Sequence, residues 1–127
     1  MSNPVALVTG AARNIGRSIA VRLARDGFDV ACVGRSVETL AETAADVETA
    51  GRRALVLAAD VSDQTACEAA VKSTVDELGG VDVLVNNAGV TRDRLLLRMD
   101  ADVLDHVLAV NLKGYFHFSK AVARPMM

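Results

Sequence analysis

Four short apolar runs recur at a nearly constant interval, and this rhythm limits what the chain can fold into. The runs are Val5–Val8, Val30–Val33, Ala54–Ala58 and Val81–Val85, with starts 25, 24 and 27 residues apart. Between them the apolar spacing changes to three and four. Ile15, Ile19 and Leu23 form one such series, and Val37, Leu40, Ala44 and Val47 a second. Cys67, Val71, Val75 (or Thr74) and Leu78 form a third. Short unbroken apolar runs, separated by stretches with a period near 3.6, read as strand and helix in alternation. Each helical stretch runs into glycine, at Gly27, Gly51 and Gly79–Gly80, as helix ends do. The order β-α-β-α-β-α-β implies a parallel sheet with right-handed crossovers.

Composition agrees with buried parallel strands under small-residue helices. The chain of 127 residues has 21 Ala and 19 Val, and aromatics make up only 3%. One domain spanning 1–127 is the expectation. A net charge of −2 argues against a nucleic-acid binder, which would carry a basic excess. Cys32 and Cys67 lack metal-ligand spacing and are too few for a disulfide scaffold, so both read as core thiols in a reducing, cytoplasmic setting. No signal peptide is visible, and the longest apolar run, Ala54–Ala59, is far too short to cross a membrane.

After the first run comes Thr9-Gly10-Ala11-Ala12-Arg13-Asn14-Ile15-Gly16, leading into a helix. A small-residue turn there allows a phosphate to approach the backbone, and the helix N-terminus offers free N–H groups and a positive dipole. A tight turn with no ligand is the plainer alternative. After the last run, Asn86 to Asp93 is polar and contains glycine. A long helix follows from about Asp102 to Arg124, capped by Asp100. Its apolar positions (Val103, Leu104, Val107, Leu108, Leu112, Tyr115, Phe116 and Val122) cover more than one stripe, so a second buried side is expected. Gly114 inside it costs on the order of 1 kcal/mol against Ala unless a close packing contact requires it.

These residues carry a resemblance. The loop is similar to the Thr-Gly-x-x-x-Gly-x-Gly signature of the short-chain dehydrogenase/reductase family, with Asn14 in place of the middle glycine. Ala59-Asp60-Val61, Asn86-Asn87-Ala88-Gly89 and Val110-Asn111 continue the match in order. Within the family, Asn86 to Asp93 with Leu95 to Met99 behind it most resembles 3-oxoacyl-(acyl-carrier-protein) reductases, as does Asn111-Leu112-Lys113-Gly114 with Ser119-Lys120-Ala121-Val122. Asn tolerates positive φ better than other non-glycine residues, so the loop should survive with its side chain slightly crowding the cofactor.

The resemblance implies a Rossmann-type doubly wound α/β sheet, strand order 3-2-1-4, stopping before the family's fifth strand. It implies cofactor contacts at Gly10, Ala12, Arg13, Asn14, Ile15 and Gly16. It places Asp60 and Val61 at the adenine, and Asn87, Ala88, Gly89 and Val110 near the ribose and nicotinamide. Asn86-Asn87 could equally be a turn whose amides cap backbone groups. Asn111 matches the family's water-holding Asn in the proton relay. The family's catalytic Ser, Tyr and Lys are not among these 127 residues. Tyr115 and Lys120 are five apart rather than four and read as core and surface; His106 and His117 have no nucleophile or third ligand beside them.

The second run ends Val33-Gly34-Arg35-Ser36, where an NAD enzyme of this build would place an acid. Arg35 can instead pair with a 2′-phosphate, and Arg13 offers a second charge, so NADP(H) is the expected cofactor. A solvated loop cation is the alternative for Arg35. The functional expectation is an NADPH-dependent reductase of 3-oxoacyl thioesters; Arg92, Arg94 and Arg98 could meet an acidic acyl carrier protein, with plain helix-surface charge the simpler reading of the three. The alternative is a non-catalytic nucleotide-binding or scaffold module. An exposed fourth strand and surplus apolar helix surface predict a homo-oligomer.

Overall fold

In a computed structural model, residues 3–89 and 98–127 are described. The first half alternates strand and helix as the rhythm demands: β1 (Val5–Thr9), α1 (Asn14–Arg25), β2 (Asp29–Gly34), α2 (Val37–Thr49), β3 (Ala54–Ala58), α3 (Gln64–Leu78) and β4 (Val83–Val85). Among the described residues the strands form one parallel sheet in the order β3-β2-β1-β4. The order reverses between β1 and β4, so the loops that follow these two strands separate to opposite faces and leave a crevice at their carboxyl ends.

Alternate residues of the central strands feed two cores. Val5, Leu7, Ala31 and Val33 face α3 and the C-terminal helix, meeting Cys67, Val71, Leu78, Phe118 and Val122. Val8, Val30 and Cys32 face α1 and α2, meeting Ala20, Ala24, Leu40 and Val47. Strands buried on both faces are why the sequence shows unbroken apolar runs rather than alternation.

Three local expectations are corrected. The fourth run begins at Val81, yet β4 starts at Val83. Asp82 is the reason: its carboxylate accepts the Val5 N–H at 2.8 Å while its own N–H donates to the Val5 carbonyl at 2.8 Å. The side chain thus takes a backbone partner that the ladder would otherwise use. In α1 the residues set against the sheet are Gly16, Ala20 and Ala24, whereas Ile15 is 69% exposed. Small side chains let the helix approach the strands closely, and the larger Ile19 and Leu23 only flank the core. Tyr115 also lies on an exposed side of its helix, not in the core.

The long C-terminal helix is not one regular α-helix. It comprises α4 (Ala101–Leu108), a π-helical segment (Ala109–Lys113) and α5 (Gly114–Met126). Asp100 caps its start, accepting from the Val103 N–H at 3.1 Å. Gly114 has the close contact its position calls for: a Cβ there would stand 2.8 Å from Val61 Cγ2. One side of the helix buries Val110, Phe118 and Val122, while Leu104, Leu108, Leu112 and Phe116 remain exposed.

Candidate functional site

The crevice is built around Thr9, the last residue of β1. Its buried hydroxyl accepts the N–H groups of Asn87 and Ala88, each at 2.9 Å, and reaches the Val85 carbonyl at 3.4 Å. Asn87 Nδ2 then donates to the Gly10 carbonyl at 3.2 Å. The Thr9 side chain at the end of β1 and the Asn87 side chain after β4 therefore tie the two strand ends and their loops together. One oxygen thus satisfies two partly buried N–H donors, each bond contributing on the order of 1 kcal/mol.

The glycines of the first loop serve this join. Gly10 has φ +62°, and a Cβ on it would stand 2.9 Å from Ala88 Cα. A Cβ on Gly16 would fall 1.9 Å from the Gly10 carbonyl oxygen. Both glycines are thus required by the packing of the chain on itself, whatever else approaches the loop. Asn14 does adopt the left-handed conformation, with φ +53°, at the first turn of α1.

The opening of α1 has the features an anion would use. Its N-cap, Arg13, makes no side-chain capping bond, and no acid lies in the first turn. By contrast, Asp63 and Asp100 cap α3 and α4. Among the described residues no carboxylate takes the first N–H groups of α1, and Arg13 and Asn14 are exposed beside them.

Arg35 is exposed directly after β2, with Ser36 beside it as the N-cap of α2. Among the described residues neither Arg13 nor Arg35 makes an ion pair. Across from Arg35 lies Asp60, after β3. Its carboxylate accepts from the Ser62 hydroxyl at 2.6 Å and the Ser62 N–H at 2.9 Å. These two bonds hold its pKa below the ordinary aspartate value, with smaller help from the charges of Arg35 and His106. Asp60 is thus an exposed, firmly ionised acceptor at the adenine end of the expected site.

Val61 is placed differently from its neighbour. Its side chain is buried against Gly114, and its carbonyl accepts from His117 Nδ1 at 2.9 Å and lies 3.4 Å from the Cys67 thiol. A carbonyl can only accept, so Nδ1 carries the ring proton. The side chain of Val61 therefore packs the C-terminal helix, and its carbonyl is engaged by that helix and by α3. At the other end, Asn111 sits in the π-helical segment, and a Cβ on Gly89 would be 3.4 Å from Asn111 Oδ1. Val110 is buried beside it. A π-turn widens the helix by one residue per turn and often marks functional positions.

The structure thus brings Gly10, Gly16, Asn87, Ala88, Gly89 and Asn111 to one crevice, with Arg35 and Asp60 at the ends of the neighbouring strands. Arg92 and Arg94, expected as contacts for a carrier protein, and the rest of 90–97 lie outside the described residues. The sequence reading gave no role to Thr9, Ser62 or His117. Thr9 opens the glycine-loop motif at a strand end, which was the available signal for it, and Ser62 directly follows Ala59-Asp60-Val61. His117 carried none. Cys32 and Cys67 are buried, and burial pushes their thiols up to about 12 and about 11, with nearby carboxylates adding to the shift at Cys67. Among the described residues no group of three or more His, Cys, Asp or Glu could hold a metal, and no helix is long and apolar enough to cross a membrane.

Comparison with known proteins agrees with this geometry. The family model for short chain dehydrogenase matches residues 4–127. The chain belongs to the short-chain dehydrogenase/reductase family. A curated relative in this oxidoreductase family, the 3-oxoacyl-(acyl-carrier-protein) reductase of Staphylococcus aureus, is 44% identical over 113 residues, covering 88% of this chain and 46% of its own. A short chain dehydrogenase from Burkholderia cenocepacia, solved in complex with NADP, is 42% identical with a TM-score of 0.93, covering 97% of this chain and 51% of its own. Carveol dehydrogenase from Mycobacterium avium, solved with NAD, is 37% identical with a TM-score of 0.92, covering 99% and 50%. The chain spans about half the length of the curated relatives it matches.

Proposed function

We propose that this chain forms the nucleotide-binding unit of an NADPH-dependent reductase acting on 3-oxoacyl thioesters. The observation that carries the cofactor choice is Arg35, exposed at the tip of β2 where an NAD site would need a carboxylate. A guanidinium there attracts a 2′-phosphate and pairs with it in fork geometry, while an acid would repel it. The uncapped N-terminus of α1 fits a pyrophosphate, and the ionised Asp60 fits an adenine amino group.

When bound, a reduced nicotinamide supplies the hydride. The residues of this chain bind and orient. Gly10 to Gly16 and α1 hold the diphosphate, Arg35, Ser36 and Arg13 the 2′-phosphate, and Asp60 and Val61 the adenine. Asn87, Ala88, Gly89 and Val110 line the ribose and nicotinamide end. Asn111 positions a water for proton delivery. The thioester substrate class rests on the resemblance to acyl-carrier-protein reductases, and the Staphylococcus aureus relative supports it.

The exposed stripe of Leu104, Leu108, Leu112 and Phe116 supports association of this chain with a second copy through the long helix. A clean monomer by light scattering at micromolar concentration would contradict that part.

The test of cofactor choice is Arg35→Asp. NADPH affinity should fall on the order of a hundredfold, while NADH affinity stays or improves. An unchanged ratio of the two affinities would refute the role of Arg35. Oxidation of NADPH by an acetoacetyl thioester separates the reductase from a nucleotide-binding scaffold, which would bind without turnover.

A further inference from the structure

A threonine inside a helix normally turns its hydroxyl back onto its own helix. Thr49 and Thr74 do so here, each donating at 2.8 Å to the carbonyl four residues before it. Thr43, in the middle of α2, does not. Its fully buried hydroxyl crosses to the glycine loop and donates to the Ala11 carbonyl at 2.8 Å, with a longer approach of 3.4 Å to the Ala12 carbonyl.

The other polar group of Ala11 is fixed as well. Its N–H donates to the Val33 carbonyl, near the end of β2, at 3.1 Å. Ala11 is itself fully buried. Both backbone groups of this one loop residue are therefore held, one by β2 and one by α2. The trans peptide between Ala11 and Ala12 places the Ala12 N–H opposite the Ala11 carbonyl, so that donor faces away from α2.

Thr43 is held in turn by charges on either side of it in α2. Arg17, in the second turn of α1, donates to Glu42 at 2.8 Å and to Asp46 at 2.6 Å. These pairs are partly exposed and contribute little energy alone. They link α1 to the residues that flank Thr43 in α2.

We infer that Thr43 is a positioning residue of the nucleotide site, its hydroxyl setting the Ala11–Ala12 peptide so that the loop presents its backbone donors to the phosphates. The inference rests on the nucleotide reading above. It gives α2, which touches no expected ligand atom through Thr43, a part in shaping the loop.

The test is NADPH titration of wild type, Thr43→Val and Thr43→Ser, well below the melting midpoint of each. Valine keeps the shape and removes the donor; serine keeps the donor and removes a methyl. The valine variant should bind NADPH about tenfold more weakly, and the serine variant within about twofold of wild type. Amide exchange at Ala12 should accelerate in the valine variant alone. A purely structural residue would lower the midpoint and leave the affinity of the folded protein unchanged, and that result overturns the inference. Should the valine variant fail to fold, Thr43→Cys replaces it; its weaker donor should give an intermediate loss, and wild-type affinity would overturn the inference. Wild type that fails to bind NADPH refutes the nucleotide reading and this inference with it. Binding by wild type with an unaltered valine variant refutes this inference alone.

Discussion

Replacing Gly16 with alanine tests the packing that forms the crevice. A Cβ at that position would lie 1.9 Å from the Gly10 carbonyl oxygen, 2.5 Å from Asn87 Nδ2 and 2.7 Å from the Gly10 carbonyl carbon. Reaching even a tight 3.0 Å from the oxygen requires a shift of 1.1 Å (3.0 less 1.9). The loop has no slack for it. The Gly10 carbonyl is bonded to Asn87, and the next residue, Ala11, is bonded to Val33 and Thr43. Overpacking of this kind costs about 1–3 kcal/mol, and losing the Asn87 bond adds about 1. Alanine's better helix propensity returns about 1 kcal/mol. Gly16→Ala should therefore lose about 1–3 kcal/mol, a fall of roughly 5–15 °C in melting midpoint for a chain of this size. The assay is urea unfolding followed by far-ultraviolet circular dichroism, with Gly80→Ala as the control. No heavy atom lies within 4 Å of a Cβ on Gly80, and its φ is not in the left-handed range. The control should stay within about 0.5 kcal/mol of wild type. A Gly16→Ala protein as stable as the Gly80→Ala protein would refute the reasoning.

Three further outcomes are expected. Thr9→Val removes the acceptor of the Asn87 and Ala88 N–H groups and should cost about 2 kcal/mol or more, with Thr9→Ser near wild type in the same unfolding assay. Ser62→Ala removes the largest cause of the low Asp60 pKa, so the Asp60 midpoint should rise toward the ordinary value in a carboxyl carbon NMR titration. Because the wild-type value is depressed, stabilisation by the ionised Asp60 is present above the unfolded pKa of about 3.9 and is lost as pH falls through the folded value. An unmoved midpoint in Ser62→Ala would show that another group controls Asp60. Cys32 and Cys67, raised to about 12 and about 11 by burial, should resist a thiol reagent at about pH 8 in the native protein and both react in urea. Rapid labelling of either native thiol would contradict their placement.

The sheet was legible because its central strands are buried on both faces and so appear as plain apolar runs. The conformation of Asn14 was legible from its place in a turn that needs positive φ. The close packing of Gly114 was open in the sequence, and Val61 resolves it. Other features depend on contacts across long stretches of chain and leave no local trace. Thr43 looks like any helical threonine until Ala11, 32 residues earlier, is set beside it. The face that α1 presents to the sheet was misjudged because apolar periodicity favours large residues, whereas close approach needs Gly16, Ala20 and Ala24. The late start of β4 follows from one carboxylate, Asp82, bonding to Val5, 77 residues away in sequence. The π-helical turn at Ala109–Lys113 has no sequence signature comparable to a cap or a glycine.

Fluorescence titration of the purified protein with NADPH and with NADH tests whether the crevice holds a nucleotide and which one it prefers. Saturable binding of both is the result to be expected, NADPH the tighter by at least about tenfold and displaced by NADP. Absence of saturable binding by either nucleotide would contradict it.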